Sequence, residues 1–101
     1  MRSEVRALIE LGPLPQEAHA SGEHLRQIEL AYRAITRPVS NEEARALVSL
    51  FGTDGCFGLA SSIVHLVETA PGWPLEDCLL NTQSLWVTEL RERSIRGGRL
   101  R

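Results

Sequence analysis

Lysine is missing from this sequence of 101 residues: all eleven basic side chains are arginine. We read that first as the codon bias of a GC-rich bacterial genome, and only second as a functional choice. Aromatic residues are scarce, at 5%. A core therefore has to be built from Leu, Val, Ile and Ala, which favours helix packed on helix. Two cysteines, Cys56 and Cys78, are too few for a disulfide scaffold and do not form a CxxC pair. No apolar run approaches the roughly 18 to 20 residues of a membrane span. Residues 1–20 lack a basic start followed by an apolar core, which speaks against a signal peptide. Period-two alternation of polar and apolar residues is also missing, so no sheet is expected. Together these absences point to a cytoplasmic, all-α protein with no membrane contact.

What is present is ordinary for a globular chain: 43% hydrophobic and 24% charged residues. The length suits one domain over 1–101 with a single modest core. The net charge of −2 conceals an uneven distribution. Residues 1–37 carry five Arg and five Glu, a balance of zero. Residues 38–90 carry Arg45 against seven carboxylates, a balance of −6, and residues 91–101 carry five Arg against Glu92, a balance of +4. An acidic body with a basic tail says more about partners than about fold.

The pattern predicts a bundle of four to five short helices. "SEVRALIELG" reads as a first helix with Ser3 as N-cap and Gly12 past its end. Residues 12–22, with two prolines and two glycines, read as a connector. In the next helix Leu25, Ile28, Ala31, Tyr32 and Ile35 share one face, and Pro38 closes it. "VSNEEA" then supplies a capping box, Ser40 with Glu43, and a hydrophobic staple of Val39 on Ala44. A central helix over 55–70 carries the stripe Ala60, Ile63, Val64 and Val67, widened by Phe57, Leu59 and Leu66. "APGWP" ends it. The last helical region opens at Glu76 and Asp77, is weakened by "NTQS" at 81–84, and packs Trp86 and Leu90 from its second half. Residues 97–101 are expected to fray.

Five polar residues, Ser61, Ser62, His65, Glu68 and Thr69, run along the central helix. A Ser61–His65–Glu68 catalytic constellation is weighed and set aside, because one helix face offers neither a cleft nor an oxyanion hole. A metal reading fails as well: the carboxylate–histidine order is reversed and occurs once, and His19 and His24 give no second arm. Packing 55–70 against 75–80 separates Cys56 from Cys78 by on the order of 15 Å, beyond the ~7 Å a disulfide spans, so two thiols are expected. The helix-turn-helix spacing across residues 43–64 lacks the basic side chains that reading DNA requires. A surface strip remains, with Ser61, His65 and Glu68 beside Trp73, Glu76 and Asp77. An exposed Trp73 would anchor a partner and the carboxylates would steer it; the alternative is that Trp73 folds back as a lid on the core.

The segments "GTDGCFGLASSIVHLVETAPGWPLEDCL" and "LWVTELRERSIRGG" resemble small helical proteins of bacteria associated with the immunity partners of polymorphic toxins. The likeness covers residues 50–98 and rests on the run from Cys56 to Pro74. It implies a non-enzymatic, cofactor-free inhibitor that binds one protein, a basic toxin domain, through its acidic surface. Two other readings stand beside it: a small enzyme or enzyme subunit using His65 and Glu68, and a structural homodimer.

Overall fold

A computed structural model describes residues 1–80 and 84–98. Five α-helices follow one another: α1 (Ser3–Glu10), α2 (Gly22–Arg33), α3 (Asn41–Val48), α4 (Leu59–Val67) and α5 (Leu85–Arg96). Short 3₁₀ turns lie at Glu17–His19, Cys56–Gly58 and Glu76–Leu79, and no strand occurs among the described residues. The chain is the all-α bundle its composition predicts. α1 packs on α2 and α3, α3 on α4, and α4 on α5.

Local sequence explains where most helices begin. Ser40 accepts the N–H of Glu43 at 3.0 Å while Glu43 Oε1 accepts the N–H of Ser40 at 2.8 Å, so the capping box forms as read. Both residues of its staple, Val39 and Ala44, are buried. Ser21 caps α2 through the N–H of His24, and Ser84 caps α5 through the N–H of Val87. Ser84 is thus the one residue of the expected "NTQS" break that can be placed; Asn81, Thr82 and Gln83 lie outside the described residues.

Several boundaries differ from the expectation, among them the opening of the last helical region, where Glu76–Leu79 is a separate 3₁₀ turn and α5 starts at Leu85. Arg2, not Ser3, is the N-cap of α1, because its N–H is taken by Glu43 Oε2 at 3.1 Å and is fixed from outside the helix. α2 stops at Arg33 with Ala34 as its C-cap, well short of Pro38. The central helix starts only at Leu59. Before it, Asp54 Oδ1 captures the N–H of Cys56 at 3.0 Å and Glu17 Oε2 captures that of Phe57 at 2.8 Å, which turns those residues out of the helix. The stripe loses Phe57 as a result: its ring is 64% exposed.

The rest of the stripe is the heart of the core. Ala60, Ile63, Val64, Leu66 and Val67 of α4 are all buried, with Leu8, Ile28, Leu47 and Leu90 from the four surrounding helices. α4 is apolar around most of its circumference, and α3, α5 and the turn before it pack on it. Cys56 is buried in this core and Cys78 is half-buried, both as free thiols. Burial, reinforced by the charges of Asp54 and Glu17, pushes the Cys56 thiol above its ordinary pKa. Thiol titration without reductant should give two thiols per denatured chain. In the native protein Cys78 should react first, and equal native rates would contradict the burial of Cys56.

Candidate functional site

The polar strip of α4 is divided between surface and scaffold. Ser61 is exposed, and so is His65, whose side chain is 59% accessible. His65 Nδ1 lies 3.9 Å from Glu68 Oε1, and no hydrogen bond joins Ser61 to His65 among the described residues. Glu68 is held by α5: Arg93 Nε and Nη2 donate to its two carboxylate oxygens at 2.8 Å each. Thr69 works inward, accepting the N–H of Val39 at 3.0 Å and donating to the Leu66 carbonyl at 2.6 Å.

Trp73 corrects the expected surface. It is only 7% exposed and belongs to the core, with its backbone N–H on the Ala70 carbonyl at 3.0 Å. α4 ends at Val67, three residues short of the expected end at 70, and the chain folds back through the turns of residues 68–73 so that the indole closes the bundle instead of standing off it. Glu76 and Asp77 are exposed on the next turn. Asp77 accepts Arg45 Nε at 2.9 Å, and that hydrogen bond holds its carboxyl below the usual range, whereas Glu76 has no cation partner among the described residues. On the same turn Leu80 is exposed, as is Leu85 at the start of α5. Of the six residues assigned to one partner surface, Trp73 leaves it, Glu68 is neutralised in a half-buried ion pair, and Ser61, His65, Glu76 and Asp77 remain accessible.

Two other places have the shape of sites. A cavity of about 420 Å³ is lined by Glu68, Arg93, Ser94, Arg96 and Gly97. Its cations are already engaged, Arg93 by Glu68 and Arg96 by Glu89 at 3.4 Å and Glu92 at 3.9 Å. The second place is the corner where the 3₁₀ turn at Glu17–His19 meets residues 53–58. Gln16 Nε2 donates to Thr53 Oγ1 at 2.9 Å, the Glu17 N–H donates to Asp54 Oδ2 at 3.0 Å, and Trp86 Nε1 of α5 donates to the Asp54 carbonyl at 3.1 Å. The sequence did carry a signal for it: "TDGCFG" has an Asp-Gly turn and a second glycine three residues on, which a continuous helix should not contain.

Among the described residues no three His, Cys, Asp or Glu side chains gather as a metal site, and no helix is long and apolar enough to cross a membrane. The chain matches no family model, no curated protein and no solved structure.

Proposed function

We propose that this chain is a non-enzymatic protein-binding module that inhibits one partner protein through an acidic helical surface, as an immunity-type protein of a bacterial cytoplasm does. The observation that carries the reading is the turn of Glu76–Leu79 with its neighbour Leu80. There Glu76, a carboxylate without a cation partner among the described residues, stands near Leu80, which is 73% exposed. Large apolar side chains on the outside of a small protein, beside an unpaired charge, are what a docking surface needs. The polar strip of α4 supports the same reading. Among the described residues His65 reaches only Glu68, at 3.9 Å, longer than a hydrogen bond, and Glu68 is committed to Arg93.

The test is co-expression with the product of the gene immediately upstream. The reading predicts a stable complex in size-exclusion chromatography with light scattering, loss of that product's activity in the complex, and weakening with salt. Full activity of the upstream product in the presence of an excess of this chain would remove the inhibitor reading.

A further inference from the structure

We propose that Phe57, whose backbone N–H is held by the Glu17 carboxylate next to a Cys56 N–H held by Asp54, is the residue on which this protein docks a basic, apolar-tipped segment of its protein partner. The proposal goes beyond the turn at Glu76–Leu79 by adding a second contact surface, and it rests on the binding-module reading.

Three observations lead to it. The first is exposure: at 64% accessibility Phe57 is the most exposed aromatic ring of the described residues. It stands at the edge of a groove of about 350 Å³ lined by Leu25, Glu29, Phe57, Gly58, Leu59 and Ser62. The second is backbone strain. Cys56 and Phe57 have φ of 46° and 54°, and Gly58 follows at 90°. Only the glycine adopts that region without penalty; a bulky residue there is a true outlier. The conformation persists because its surroundings over-determine it. Asp54 and Glu17 hold the N–H groups of Cys56 and Phe57, and Gly55 accepts those of Gly58 at 3.1 Å and Ala60 at 3.2 Å. Such strain is characteristically kept where a side chain must be aimed. Nothing in the fold requires that ring, since it buries little and an asparagine would sit in the same backbone more easily.

The third observation is charge, and it selects the occupant. Glu17 and Asp54 spend their oxygens on backbone N–H groups and have no cation partner among the described residues. A second copy of this chain is a poor fit, because a two-fold axis through the corner would bring both copies' carboxylates together. Nucleic acid is repelled for the same reason. A polypeptide segment with Arg or Lys beside a Leu, Met or aromatic side chain satisfies both the ring with its groove and the carboxylates. Such a segment meets a rigid aromatic, because the loop beneath is tied to α5 through Trp86.

The test uses the whole chain as bait for a random linear-peptide library displayed on phage. Recovered peptides are then synthesised and titrated against the parent, Phe57→Asn, and the charge-removing pair Glu17→Gln and Asp54→Asn. We expect recovered peptides to combine Arg or Lys with a large apolar residue. Phe57→Asn should weaken binding by about tenfold or more, the size expected for losing an aromatic anchor. It should also leave Tm unchanged or raised. The Gln/Asn pair, whose amide oxygens still accept the loop N–H groups, should slow association and flatten its salt dependence. Neutral or acidic peptides, or peptides that bind Phe57→Asn like the parent, overturn the proposal while leaving the wider binding-module reading to the co-expression test. A fall in Tm of more than about 4 °C for Phe57→Asn overturns it as well, since the ring would then be structural. No recovered peptide at all counts against it equally.

Discussion

Replacing Trp73 with alanine is expected to bring the protein close to unfolding at room temperature, with midpoint loss in urea and no change specific to binding. The indole is 7% exposed and closes the bundle beside the apolar helix α4. Deleting a buried Trp costs about 3–5 kcal/mol, through lost transfer free energy and the cavity left behind. A domain of this length has about 5–15 kcal/mol in total. A second variant separates packing from polarity. Trp73 Nε1 is buried and has no hydrogen-bond partner among the described residues, and an unmade hydrogen bond of that kind costs about 1–3 kcal/mol. Trp73→Phe removes the orphan donor together with some of the apolar area, so the two changes oppose each other. It should cost much less than Trp73→Ala. Equilibrium urea unfolding by circular dichroism measures both. A Trp73→Ala protein as stable as the parent would mean the ring does not close the core.

The same residue marks the limit of what the sequence discloses. "PGWP" says that a helix ends and that a turn begins, because Pro71 and Gly72 are local breakers. Whether the turn throws the indole outward or folds it back depends on contacts with residues far away in the chain, and no local pattern records them. The capping box at Ser40 is legible for the opposite reason: its hydrogen bonds span three residues. The inward face of α4 was legible as well, since a 3.6-residue period is a property of the element itself. The period does not carry through residues 55–58, because Asp54, two residues before Cys56, and Glu17, forty residues before Phe57, take the backbone N–H groups there; the first is a local signal and the second is not. Glu68 looked like surface charge and is tied to Arg93, twenty-five residues on. Local chemistry fixed the scaffold, and long-range ion pairs decided which polar residues remained accessible.

Such a pair also underlies the second large effect, on stability against pH. Glu43 sits in the first turn of α3 with its side chain only 3% exposed. Burial alone would raise its pKa. Hydrogen bonds outweigh it, from the Arg2 side chain and from the N–H groups of Ser40 and Arg2, and Arg2 adds its charge; together they lower the carboxyl from 4.5 to about 2. Arg2 Nε and Nη2 reach Glu43 at 3.1 and 3.3 Å, and Arg2 Nη1 continues to Thr36 Oγ1 at 2.9 Å. One carboxylate therefore clamps the start of α1 and the 36–40 loop to the start of α3. Because the folded pKa lies below the unfolded one, the stabilisation is complete above about pH 4.5 and is lost as pH falls towards 2. The shift corresponds to about 2–3 kcal/mol at neutral pH, allowing for the partly exposed Arg2. Glu43→Gln should cost about that much at pH 7. Its unfolding free energy should also fall less steeply than the parent's between about pH 5 and 2, so that the two curves converge in acid. Exposed carboxylates such as Asp77 remain in both proteins and cancel in the difference. Parallel curves, with a constant offset down to the lowest pH, would mean that Glu43 acts through packing and not through its charge.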